Sequence, residues 1–98
     1  MITESHRIEF KRQLTDSLEK EAIAFLNAIE GGVIIVGVDD QGKTVGVENA
    51  DTLLLKIKDR LKNNITPSTM GLFDVHCQQQ DGKTIVRITL ASGSEKPY

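Results

Sequence analysis

At 98 residues, of which 39% are hydrophobic, the chain is long enough for one small domain with a single modest core. Its formal net charge of -2 excludes the strongly basic balance that would by itself indicate nucleic-acid binding, so such a function has to come from local patches. The one cysteine, Cys77, excludes an internal disulfide, and no signal peptide or membrane-spanning run is recognisable. We therefore expect a soluble cytoplasmic protein with no membrane partner.

The first regular pattern is the alternation of polar and apolar residues over Arg7–Arg12. A period of two is typical of a half-buried strand. The alternation predicts that Ile8 and Phe10 face the core. It also predicts that Glu9 and Lys11 form a charged outer face on this strand.

An amphipathic helix follows, with Asp16 or Ser17 as its expected N-cap. Its apolar residues form one stripe that we expect to pack on the sheet: Leu18, Ala22, Phe25, Leu26 and Ile29. Gly31 and Gly32 are predicted to end the helix, because glycine adopts positive φ without a steric cost.

The central strand is predicted over Val33–Val36 and Val38. A run that is apolar at every position indicates a strand covered on both faces. Asp39–Lys43 is predicted to be a tight turn, after which Thr44–Val47 returns as a short strand in a hairpin.

A second helix is predicted next, capped by Asn49 or Asp51. Its apolar side consists of Leu54, Ile57, Leu61 and Ile65. Its other side carries four cations: Lys56, Lys58, Arg60 and Lys62. This cluster fits either an ordinary solvated helix face or a surface that contacts phosphates.

The last two strands are predicted over Leu72–Gln80 and Thr84–Leu90, joined by the turn Asp81-Gly82. Within the first of them, His76 falls on the polar face and Cys77 on the inner face. The predicted order is β-α-β-β-α-β-β, which is an α+β two-layer sandwich of a mixed sheet and two helices.

Four carboxylates occur where a metal site could form. Glu4 and Glu9 flank the start of the first strand, and Asp39 and Asp40 follow the central strand. If these strands are neighbours, three or four acids can converge on a divalent cation of the kind that hydrolyses phosphodiesters. Acids are also common at strand ends and turns, so the spacing alone leaves both interpretations open.

Five short motifs in order carry a family resemblance: Glu4-Ser5-x-x-x-Glu9-Phe10-Lys11, Ala24-Phe25-x-Asn27, Gly31-Gly32, Gly37-Val38-Asp39-Asp40-x-Gly42 and Val45-Gly46-Val47. Together they resemble the Schlafen-type Alba-like (AlbA_2) domain over nearly the whole chain. Bacterial domains of this type are N-terminal modules of transcriptional regulators and RecG-type ATP-dependent helicase-related proteins. The resemblance implies one Alba-like domain over residues 1–98, as an N-terminal fragment of a longer protein. It implies structural roles for Asn27, Gly31, Gly32, Gly37 and Gly42.

The resemblance implies a DNA-binding module that needs no cofactor, with duplex DNA as the expected partner and RNA as another. The expected phosphate contacts are Lys11, Arg12, Lys56, Lys58, Arg60 and Lys62. A first alternative is a metal-dependent endoribonuclease, in which Glu4, Glu9 and Asp40 would hold Mg²⁺ or Mn²⁺ and be catalytic. A second alternative is an oligomerisation or protein-interaction domain that forms a homodimer. Any ATPase or helicase activity would lie outside these residues.

Overall fold

A computed structural model describes residues 8–93 and 96–98, in which two helices cover one face of a four-stranded sheet. The elements are β1 (Ile8–Lys11), α1 (Leu18–Asn27), β2 (Gly32–Val36), α2 (Ala50–Asn63), β3 (Phe73–Gln80) and β4 (Lys83–Leu90). The sheet order is β1-β2-β4-β3, with β1 parallel to β2 and the other pairs antiparallel. The predicted α+β class, mixed sheet and two helices are confirmed. No helix in this part of the chain is long and apolar enough to cross a membrane.

The predicted central strand is confirmed as β2, which lies between β1 and β4. Ile34 and Val36 are fully buried under the helices, in the main core. Ile35 and Val38 belong to a smaller second cluster with Phe10 on the other face of the sheet. The continuous apolar run therefore reflects burial on both faces.

The predicted outer face of β1 is wrong. Glu9 and Lys11 stand beside Ile34 and Val36, which lie on the face covered by the helices. The apolar side chains of β1 turn to the second cluster on the opposite face. Alternation distinguishes two faces of a strand, but it does not tell which one the helices cover.

The predicted return strand Thr44–Val47 does not form. Its contact with the central strand is a single bridge between Val38 and Thr44. The amides of Val45 and Gly46 both donate to the carbonyl of Gly37, and Gly46 has a φ of 78°. The backbone therefore turns at Gly46 and does not continue as a paired strand.

The helix α1 begins directly after Ser17, as expected, but it ends at Asn27. Ile29 therefore lies beyond the helix and is 90% exposed, which makes its predicted place in the buried stripe wrong. Gly31 has a φ of 70°, and a Cβ there would lie 2.1 Å from the carbonyl oxygen of Leu90. This glycine is thus needed for close contact with β4, and the helix has already ended four residues earlier.

The second helix and the last hairpin follow the prediction closely. Asn49 holds the N-cap position of α2, but its side chain makes no capping hydrogen bond, and Ile57 and Leu61 are fully buried in the main core. Asp81 and Gly82 both have positive φ, at 53° and 74°, which is the conformation of a tight type I′ hairpin turn.

Candidate nucleic-acid interface

Three of the predicted cations lie fully at the surface of α2. Lys56, Lys58 and Lys62 are exposed, and none of them forms an ion pair within the described residues. Lys58 and Lys62 are one helical turn apart, so they share a flank of α2, which we call the lysine flank. Lys56 lies about 160° around the helix from Lys58, on the flank nearer to α1. The exposed charge is thus divided over two sides of the helix.

Arg60 lies between the two helices. Its Nε and Nη2 donate to the two carboxylate oxygens of Glu19 on α1, and Nη2 also donates to the carbonyl oxygen of Thr15 at 3.0 Å. The side chains of the pair are only 16% and 19% exposed. Arg60 therefore joins α2 to α1, and its guanidinium is engaged within the molecule.

The Arg60 hydrogen bonds lower the pKa of Glu19 to about 2, against the opposing effect of burial, and Asn64 adds a further hydrogen bond to the same carboxylate. The pKa of Arg60 is raised, chiefly by its hydrogen bonds to Glu19. Both groups are therefore charged over the whole range in which proteins are usually handled. The sequence shows Glu19 only as an acid in the first turn of α1, and no local pattern indicates that it joins the two helices.

Lys11 is also engaged inside the molecule. Its Nζ lies 2.9 Å from a carboxylate oxygen of Glu21 on α1, and both side chains are about four-fifths buried, at 22% and 21% exposed. The next residue, Arg12, is exposed. Of the two cations predicted at the end of β1, Arg12 is the one available to a ligand.

Asp39 serves the turn that follows the central strand. Its Oδ1 accepts hydrogen bonds from the backbone amides of Gln41 and Lys43, each at 2.9 Å. These bonds lower the pKa of Asp39, the Lys43 amide having the largest effect, and the charge of Arg12 acts in the same direction. A carboxylate used in this way stabilises its own loop.

The predicted acidic trio falls only partly within the structure. Glu4 lies outside the described residues, Glu9 is on the helix-covered face of β1, and Asp40 is exposed in the turn after the central strand. Across residues 8–93 and 96–98, no group of three or more histidine, cysteine, aspartate or glutamate side chains could hold a metal ion. The Mg²⁺ or Mn²⁺ site with these three acids stays a prediction.

Two further motif residues contribute close contacts. Asn27 Oδ1 accepts a hydrogen bond from the backbone amide of Tyr98 at 2.9 Å, which ties the end of α1 to the last described residues. Gly32 lies against the ring of Phe25, because a Cβ there would be 2.1 Å from a ring carbon. The remaining motif glycines both have positive φ: Gly37 at 107° and Gly42 at 83°.

Comparison with known protein families gives one match: the family model "Schlafen, AlbA_2" matches residues 4–98. A comparison with curated proteins gave no match.

Two solved structures are similar to the chain. The N-terminal domain of a DNA helicase RecG-related protein from Nitrosomonas europaea has 25% sequence identity and a TM-score of 0.70, with 98% of this chain and 71% of that one covered. The DIP2311 protein from Corynebacterium diphtheriae has 22% identity and a TM-score of 0.63, with 92% of this chain covered. This chain spans only 21% of the Corynebacterium protein.

Proposed function

We propose that this chain, which belongs to the Schlafen, AlbA_2 family, is a nucleic-acid-binding domain that contacts the phosphate backbone of duplex DNA. Its similarity to the N-terminal domain of a DNA helicase RecG-related protein supports this function. In this proposal, the domain is a module that holds a longer bacterial protein, a transcriptional regulator or a helicase-related protein, on DNA.

The observation that carries the proposal is the lysine flank of α2. Lys58 and Lys62 are exposed and lie about 6 Å apart along the helix axis. A duplex carries one phosphate per about 1.7 Å of its axis, so both ammonium groups can reach phosphates at once. Lysine contacts to phosphate carry no sequence information, and we therefore expect binding without sequence preference.

The aromatic residues favour a duplex over a single strand as the ligand. Proteins that bind single strands stack bases on exposed aromatic rings. Phe10 and Phe25 are buried, and Phe73 and Tyr98 are packed against the main core. Phe73 and Tyr98 are partly buried, so within the described residues no aromatic side chain is fully exposed for base stacking.

A matched pair of double variants tests the proposed surface. Lys58→Gln/Lys62→Gln removes two charges from the lysine flank, and Lys20→Gln/Lys43→Gln removes two charges from exposed positions outside α2. Fluorescence anisotropy with a labelled duplex at low salt is expected to show much weaker binding for the first variant and nearly unchanged binding for the second. Equal weakening by both variants would mean that net charge, and no defined surface, sets the affinity.

A further inference from the structure

The helix α2 exposes an apolar side chain beside the lysine flank. Leu55 is 66% exposed, and within α2, which the structure describes completely, it is the one exposed apolar residue. Lys58 follows it by three positions and Lys62 by seven, so the three side chains lie within about 60° of arc around the helix. Leu55 points away from the core, because it lies about 160° around the helix from the buried Ile57. The surface proposed for DNA therefore contains a leucine as well as two cations.

The position of this leucine distinguishes it from the other exposed apolar residues. Single apolar side chains at a protein surface are common and need no function. Ile29 and Met70 are of this kind: they are 90% and 81% exposed, and both lie outside the helices and strands. Leu55 instead projects from a regular helix, beside two exposed lysines. A duplex held by the lysine flank therefore meets Leu55.

We propose that Leu55 is an apolar wedge that enters the minor groove at a weakly stacked base step of the bound duplex. This inference rests on the proposed function, because it needs a duplex held by Lys58 and Lys62. Proteins that bind the minor groove frequently insert leucine or another apolar side chain between base pairs. The lysine side chains are long and flexible, so they can reach phosphates at the rim of the groove while the shorter leucine faces its floor.

The size of the leucine determines which duplexes it can enter. Burying the exposed two-thirds of this side chain is worth roughly tenfold in affinity. Unstacking a step of matched base pairs costs more than this gain, so Leu55 should stay outside a regular duplex. The cost is smallest where pairing is already weak, as at a mismatch. We therefore expect a preference for mismatched duplexes, while the lysines alone hold regular DNA without sequence preference.

The acidic residues of α2 favour a groove contact at Leu55 over a backbone contact. Asp51 and Asp59 are exposed and lie one helical turn before and one turn after Leu55. Their charges repel phosphates, so the bound backbone is expected to follow the lysines and to pass beside Leu55. The carboxylate of Asp59 also accepts a hydrogen bond from Nδ2 of Asn63 at 2.7 Å, which directs it along the helix.

Fluorescence anisotropy with two labelled duplexes tests the wedge, one fully matched and one with a single central mismatch. The wild-type chain is expected to bind the mismatched duplex about tenfold more tightly. Leu55→Ala keeps a good helix former at this exposed position, and it should bind both duplexes with the wild-type affinity for the matched one. Leu55→Met should keep most of the preference. Ile29→Ala removes an exposed apolar side chain outside both helices and should leave the preference unchanged.

A fluorescent base reports the insertion itself. Aminopurine placed beside the mismatch is expected to brighten when the wild-type chain binds, because its stacking is lost, and to stay dim with Leu55→Ala. The dependence of affinity on salt should be the same for both proteins, since an apolar contact releases no counterions. Equal affinity of the wild type for the two duplexes, or an equal loss on both in Leu55→Ala, would overturn the wedge and leave the proposed function standing. No binding to either duplex at low salt would overturn the proposed function, and the wedge with it.

Discussion

The ion pair between Glu19 and Arg60 is expected to be a main electrostatic link between the two helices. Replacement by Glu19→Gln removes the negative charge while keeping the size of the side chain. The folded pKa of Glu19 is about 2 against an ordinary value of 4.5. This difference of about 2.5 units corresponds to about 3.4 kcal/mol. Because both side chains keep some contact with solvent, we expect the variant to lose about 2 kcal/mol of unfolding free energy at neutral pH.

The pH dependence of this loss has a definite sign. The folded pKa of Glu19 is depressed, so its stabilisation is complete above the unfolded value of 4.5 and is lost as the pH falls toward 2. Urea unfolding followed by circular dichroism should show a large difference between wild type and Glu19→Gln at neutral pH. The unfolding free energies of the two proteins should become equal as the pH falls from 4.5 toward 2.

A matched control separates this pair from a general effect of charge. Glu48 is exposed, and Glu48→Gln makes the same chemical change away from the helix contact. We expect Glu48→Gln to keep the stability and the pH dependence of the wild type. If Glu19→Gln kept the wild-type pH dependence below pH 4.5, the account of this pair would be wrong.

Further predictions concern a close backbone contact and the acidic residues. Gly31→Ala should cost about 3 kcal/mol of unfolding free energy, because its Cβ meets the Leu90 carbonyl at 2.1 Å. Gly71 has a similar positive φ, but a Cβ there would have no neighbour within 4 Å, so Gly71→Ala should cost only about 1 kcal/mol of unfolding free energy. Equal losses for the two variants in chemical denaturation would contradict the close contact between Gly31 and Leu90. When the chain is incubated with structured RNA and Mg²⁺ or Mn²⁺, we expect a gel to show no cleavage of the RNA. Cleavage that is abolished by Glu9→Ala and by Asp40→Ala would instead show that the chain is a metal-dependent nuclease.

The parts of the fold set by local chemistry were predictable from the sequence. The stripe that contains Ile57 and Leu61 identified the buried side of α2, because helical periodicity is a property of neighbouring residues. The Asp81-Gly82 turn identified the last hairpin, because both residues tolerate positive φ. These signals depend on a few adjacent residues.

The parts set by tertiary contacts were not predictable in this way. Arg60 and Glu19 are 41 residues apart in sequence, and nothing in either local pattern shows that they meet. Lys11 looked like a surface cation because the strand pattern could not tell which face α1 would cover. The candidate surface thus contains fewer cations than the sequence indicates, since two of the six are used inside the molecule.

The measurement that most directly tests the central claim is the salt dependence of duplex binding by the wild-type domain. The two lysines of the lysine flank predict a slope of about -1.8 in log affinity against log salt, which is a loss of about 12-fold between about 50 and 200 mM salt. With the two charges of the lysine flank removed, the predicted slope falls to near zero, and duplex binding at low salt is largely lost. No measurable binding at low salt, or a slope that is the same without the lysine flank, would contradict the account.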